Sequence, residues 1–407
     1  MARAKKQNNV KITSNFTKYQ WDAVTLAVHA DVPVILWGGP GIAKTSLLYQ
    51  LAQNLDMPCE VLIGSIHEPS DLAGLPVIVD KYGEAGVITG QEVIQSPPRW
   101  AKRASERPTL VFFDELTTCA PSVQAAILRI AFDRVVGELK LHPGTRIVAA
   151  ANPPNQAANG YDLAPPLANR FVHIEGMEVD VDRWVKWMWA TDSEKSKEKV
   201  SRLTVNQEKY AEELTLARRL IGAYIQARPD KAYQYPENEA AQGKTWCSPR
   251  SWDMASQMYA AVKASNTGLA NISEDDLAAY VISCAVGISE AREFHQWQSN
   301  LDLPDPAEVL KNHKKLPTDR GDIIYACMAS VISHVKEAIK SGDKDAWLKG
   351  WSLVYYVFSN GMKDIALTFF QSFMGIKPHS IVPPMEITSE IMNFYGEAKC
   401  PVRKDGR

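Results

Sequence analysis

Residues Trp37–Ser46 read WGGPGIAKTS, and the reading of this stretch decides the fold. The β-branched run VPVILWG (residues 32–38) precedes it, and KTSLLYQLAQNL (44–55), with apolar residues at helical spacing, follows it. A glycine-rich loop between a buried strand and a helix start is an anion cradle, because its backbone N–H groups and the positive helix end both face the ligand. The phosphate-binding pattern G-x-x-x-x-G-K-[ST] has glycine just before the lysine; here Ala43 takes that place, followed by Lys44 and Thr45. One extra methyl at a residue expected to be entering the helix is compatible with such a loop. The competing reading is a helical turn with an incidental lysine. On the phosphate-loop reading, Gly38, Gly39, Pro40, Gly41, Ile42, Ala43 and Ser46 surround the phosphates of ATP, Lys44 reaches the β- and γ-phosphates, and Thr45 ligates Mg2+.

Further apolar runs alternate with helical ones: CEVLIG (59–64), TLVFFDE (109–115), PSVQAAILRIAFDR (121–134), TRIVAAAN (145–152) and RFVHIEG (170–176). Fully apolar strands separated by helices imply an α/β unit with a parallel sheet covered on both faces. TLVFFDE ends in two acids. Asp114 is placed to hold the magnesium, and Glu115 to polarise an attacking water as general base. Asn152 ends the next strand; its amide either orients that water or closes an Asx-turn before Pro153. Arg170 stands at a strand entrance, as a surface ion pair or as a finger reaching a neighbouring subunit's γ-phosphate. Arg250, in WCSPRSW, follows Pro249 at a helix start, where a cation is poorly placed for capping.

Beyond Val181 the pattern is helical, with no convincing strand. The organisation expected is a basic tail (1–18), an α/β nucleotide-binding core (19–180), a helical lid (181–290) and a helical C-terminal extension (291–407). The 407 residues are 45% hydrophobic and 23% charged with a net charge of −2, so no global field draws the chain to nucleic acid or acidic lipid. No apolar run approaches the roughly 18 residues that span a bilayer. Six scattered cysteines without a C-x-x-C pair argue against a disulfide framework or a zinc site and favour the cytoplasm. Trp184, Trp187 and Trp189 are read as packing residues, with Trp189 toward a neighbour, and Trp347 and Trp351 have the i, i+4 spacing of a helix core.

With these residues in view, Tyr19 to Ser265 resembles an AAA+ ATPase of the MoxR type. GGPGIAKTS resembles that family's phosphate loop, in which alanine before the lysine is a known variant. HEPSDLAGLP (67–76) resembles the segment after strand two, and VIVDKYGEAGVITG the hairpin inserted in helix 2. RVVGELKLHPGTRIV resembles the hairpin before the sensor strand, with Pro143-Gly144 expected as its turn. The resemblance implies that Asn152 is sensor 1, Arg170 the arginine finger and Arg250 sensor 2, with Lys44 and Arg250 meeting nucleotide within one subunit. It also implies a ring, most often a hexamer, that remodels or matures a partner protein, often alongside a von Willebrand A-domain protein. Two departures stand out: DELTTCA carries Thr117 and Thr118 where the family has polar and arginine residues, and ANRF replaces LDRF. Other functions fit less well. A nucleotide-dependent scaffold with little turnover is motivated by Thr118 and opposed by Glu115 and Arg170. A DNA-acting motor is motivated only by Arg3, Lys5, Lys6, Lys11 and Lys18 in the tail, with no helix-turn-helix or zinc module to support it.

Overall fold

The computed structural model describes residues 19–82, 88–153, 156, 160–191, 199–268, 270, 272–300, 304–317, 321–376, 378 and 382–399. The basic tail, the tip of the long hairpin and residues 192–198 therefore lie outside the described residues. Five strands form one parallel sheet: β1 (Val34–Gly38), β2 (Cys59–Ile63), β5 (Leu110–Asp114), β8 (Arg146–Ala151) and β9 (Val172–Met177), in the order β2-β5-β8-β1-β9. The three central strands are nearly buried throughout, which is why their text is continuously apolar instead of alternating. Phe112, Phe113, Ile35 and Leu36 are the largest fully buried side chains in them.

Helices α1 (Gln20–Ala30), α2 (Lys44–Asn54), α3 (Pro69–Ala73), α4 (Arg99–Glu106), α5 (Pro121–Asp133) and α6 (Pro165–Ala168) belong to the same α/β assembly. Between α3 and α4, β3 (Leu75–Tyr82) and β4 (Ile88–Ser96) form a separate antiparallel hairpin. A second hairpin, β6 (Val135–Val136) with β7 (Leu139–Lys140), corrects one expectation. Its turn is Gly137-Glu138, not Pro143-Gly144. Gly137 has φ +59, and a Cβ there would meet the Ala73 carbonyl oxygen at 2.7 Å, so glycine answers both demands. Pro143-Gly144 makes a later turn, closed by Thr145 N donating to His142 O at 2.8 Å.

Helices α7 (Val181–Trp189), α8 (Gln207–Ala227), α9 (Glu239–Gln242), α10 (Pro249–Lys263), α11 (Glu274–Val286) and α12 (Ile288–Ser299) continue the chain. Among the described residues of this region the β-type pairing is an isolated bridge, Val205 with Ser265. The chain divides into two compact units. One holds the residues up to Ala217 together with Asp230–His295, so the α/β core and α10–α11 share it. The other holds Arg218–Pro229 and the residues from Gln296 onward.

In the second unit, α13 (Pro306–Lys311), α14 (Gly321–Lys340), α15 (Asp345–Ser359), α16 (Lys363–Gly375) and α17 (Met385–Lys399) build their own core. Trp347 and Trp351 are fully buried in it, edge to face at 5.7 Å, and Trp347 Nε1 donates to Phe373 O at 3.0 Å. The other tryptophan trio differs from the reading of it as packing. Trp184, Trp187 and Trp189 are 51%, 44% and 82% exposed. No described helix is long and apolar enough to cross a membrane.

Candidate nucleotide site

The loop Gly38–Ala43 joins β1 to α2, as a phosphate cradle requires. Gly41 has φ +77, a conformation glycine adopts without strain. Ala43 also lies in the left-handed region, at φ 65 and ψ 25. It is not yet entering the helix, contrary to the expectation from sequence; helical geometry begins with Lys44. A β-carbon in that conformation costs about 1–2 kcal/mol, so the alanine is a strained occupant of a glycine position.

Lys44 is buried, and its Nζ donates to Gly38 O at 2.8 Å, Gly39 O at 2.9 Å and Asn152 Oδ1 at 3.0 Å. Burial lowers its pKa, while Asp114 and Glu115 oppose that shift. The Asn152 amide is thus engaged with the phosphate-loop lysine, at the end of the neighbouring strand β8. Thr45 Oγ1 donates to Asp114 Oδ2 at 2.7 Å, and Asp114 Oδ1 accepts from Glu115 N at 2.9 Å. A hydroxyl and a carboxylate side by side are hard oxygen donors, the set that suits Mg2+.

Glu115 has φ 57, so its backbone is strained where its side chain leaves the strand end. Its Oε2 accepts from Ser65 Oγ at 2.6 Å. Ser65 escaped the sequence reading, although its place directly after CEVLIG, just past the end of the strand beside β5, was the available signal. Thr117 and Thr118 face inward to the backbone instead of acting as charge partners. Thr117 Oγ1 donates to Asn152 O at 2.9 Å, and Thr118 Oγ1 to Glu115 O at 2.7 Å.

Arg170 and Arg250 form a separate group. Both guanidinium carbons lie over the ring of Phe132, at 5.1 and 5.0 Å from its centroid, and Phe132 is 55% exposed at the end of α5. Arg170 Nη1 donates to Pro166 O at 2.8 Å, and its Nε is buried without a hydrogen-bond partner among the described residues. Burial and then the charge of Arg250 lower the Arg170 pKa, against a smaller pull from Asp133. Sequence reasoning named both arginines but not the phenylalanine that gathers them.

Beside the loop opens a cavity of about 1120 Å3. Gly41, Ile42, Ala43 and Ser46 form its phosphate-loop wall, and Trp21, Trp184 and Trp187 bring aromatic surface to it. Ser201 Oγ donates to Asp22 Oδ1 at 2.5 Å on the same wall, and burial raises the Asp22 pKa. Two of the tryptophans read as packing therefore border a ligand-sized space.

Residues 33–171 match the AAA domain (dynein-related subfamily). Protein MoxR of Methylorubrum extorquens is 28% identical over 163 residues, which are 39% of this chain and 44% of that protein. The match thus spans less than half the length of this curated relative. A solved structure of a candidate ATPase from Cytophaga hutchinsonii is 19% identical, covering 66% of this chain and 81% of that one at a TM-score of 0.39.

Proposed function

We propose that this chain, whose core is a MoxR-type AAA+ domain, hydrolyses ATP at the boundary between subunits of a ring and uses the cycle to remodel a partner protein. The observation that carries the reading is the convergence, at the ends of β1, β5 and β8, of Lys44, the Thr45–Asp114 pair at 2.7 Å, Glu115 and Asn152. Nothing in a purely structural role calls for a lysine, two carboxylates and an amide at one sheet edge beside a left-handed glycine loop.

In this mechanism the loop amides and Lys44 take the phosphates, and the cavity bordered by Trp21, Trp184 and Trp187 takes the base. Thr45 and Asp114 would hold Mg2+, which supplies charge neutralisation across the β- and γ-phosphates when bound. Glu115 draws a proton from the attacking water, and Asn152 helps to fix the geometry around Lys44. Arg170 and Arg250, grouped on Phe132, act together on the γ-phosphate of a neighbouring subunit, so Arg250 works from the same side as the finger and not on its own subunit's nucleotide. The partner class that the resemblance implies is a protein complex in maturation, with a von Willebrand A-domain protein as companion.

Two substitutions test the chemistry. Glu115→Gln keeps the size of the side chain and removes the base, so it binds ATP and fails to turn it over. Lys44→Ala removes the charge that meets the phosphates, so it loses binding itself. Nucleotide-binding titrations beside steady-state phosphate release separate the two. A Glu115→Gln protein that hydrolyses ATP at the wild-type rate removes the residue from the mechanism.

A further inference from the structure

Two guanidiniums on one exposed ring repel each other, and a cation over an aromatic face recovers little at such a site. Something else must hold the pair together. Asn169 directly precedes Arg170 and is 6% exposed; Ser248 stands two residues before Arg250 and is 4% exposed. Ser248 Oγ donates to Asn169 Oδ1 at 2.8 Å, and Asn169 Nδ2 donates to Trp246 O at 3.4 Å. Ser248 is also the N-cap of α10: its Oγ accepts from Ser251 N at 3.1 Å, and its own N donates to Ser251 Oγ at 2.8 Å. Ser251 Oγ in turn donates to Trp246 O at 2.9 Å. This buried network joins the end of α6 to the start of α10, the two places from which the arginines project.

We propose that Asn169 and Ser248 are positioning residues, a latch that fixes Arg170 and Arg250 as one anion-reading pair. The inference rests on the reading of both arginines as acting on a neighbour's γ-phosphate. The amide suits the place because it both accepts from Ser248 and donates to a carbonyl, which neither carboxylate nor alanine does. Its neutrality adds no counter-charge beside the arginine pair, whose nearest acid is Asp133 next to Arg170. Buried side chains with satisfied hydrogen bonds define one geometry, and a displacement of about 1 Å at a reacting centre costs on the order of a hundredfold in rate.

The test is steady-state hydrolysis by the full chain with Mg2+ and ATP, alongside thermal melts. Asn169→Ala and Ser248→Ala lower kcat by about tenfold to a hundredfold and leave the KM for ATP within about twofold, since the loop that binds nucleotide is untouched. Ser248→Thr, which keeps the hydroxyl, restores turnover. Mixing Asn169→Ala with Glu115→Gln subunits also restores it, because each interface then needs one sound base and one sound arginine pair. That rescue separates mispositioning from misfolding. An active wild type with unchanged kcat in Asn169→Ala overturns the latch, as does a rise in KM alone, or the absence of rescue on mixing when subunit exchange is seen. A wild type that hydrolyses no ATP overturns the parent reading and the latch with it.

Discussion

At the residue scale, Ala43 shows how a local exception can carry a measurable cost. Its φ of 65 places a β-carbon where glycine is free of strain, about 1–2 kcal/mol above the relaxed backbone. Substituting glycine also adds freedom to the unfolded chain, worth about 0.4–1 kcal/mol in the opposite direction. Ala43→Gly is therefore expected to stabilise the protein by roughly half to one kcal/mol, read as a higher denaturation midpoint. A lower midpoint would mean that the loop relaxes in solution out of the left-handed conformation. The residue's identity was legible in the sequence, and so was its neighbourhood of strand, loop and helix. The sign of its φ was not, because helical periodicity reports which face a side chain takes and says nothing of the one residue that precedes the first turn. Lys44, Thr45, Asp114, Glu115 and Asn152 could be singled out for a related reason: each lies at a strand end or in the connection that leaves it, and a parallel sheet gathers those ends on one side. Phe132 could not, since its partners Arg170 and Arg250 are set by tertiary packing.

At the element scale, β9 is tied to its surroundings by a buried histidine. Trp37 Nε1 on β1 donates to His173 Nδ1 at 3.0 Å, so the ring proton sits on Nε2 and is donated to Ala168 O at 2.9 Å, the last residue of α6. Burial pushes the His173 pKa down to about 4 from an ordinary 6.5, outweighing the bond to Ala168. The neutral ring is the native form. The folded pKa is depressed, so its stabilisation is present above pH 6.5 and is lost as pH falls toward 4. The span corresponds to about 3 kcal/mol at most. His173→Phe should therefore be less stable than wild type near neutrality, with the gap narrowing steadily between pH 6.5 and pH 4. Urea denaturation of both proteins across that window measures it, and a gap that stays constant would show that the histidine does not titrate there. Strand β9 itself was readable as an apolar run, but its strap was not, because a lone histidine in such a run looks the same whether bonded or unbonded. The β6–β7 turn was misplaced for a parallel reason: Pro-Gly is the stronger local turn signal, yet Gly137 is the residue that packing against Ala73 leaves room for.

At the scale of the whole molecule, the separation of the two charge groups predicts assembly. On the proposed reading Lys44, Thr45 and Asp114 hold nucleotide from one side, while Arg170 and Arg250 lie together over the Phe132 ring. If that pair reads a neighbour's γ-phosphate, ATP binding and subunit association are one linked equilibrium, and each stabilises the other by the same free energy. A bias of about 1.4 kcal/mol per interface is tenfold, and a closed ring multiplies it over every interface. With 45 basic against 47 acidic side chains, the chain carries little net charge to oppose association. Glu115→Gln with ATP and Mg2+ is accordingly expected to sediment as a ring, most simply a hexamer, and with ADP as smaller species. Removing the arginine pair in that background should shift the ATP sample back toward the ADP profile, because ADP lacks the phosphate that the pair reads. Sedimentation velocity at micromolar protein and moderate salt distinguishes these outcomes. A monomer under both nucleotides would exclude a ring motor and leave a nucleotide-binding scaffold as the better account of the site.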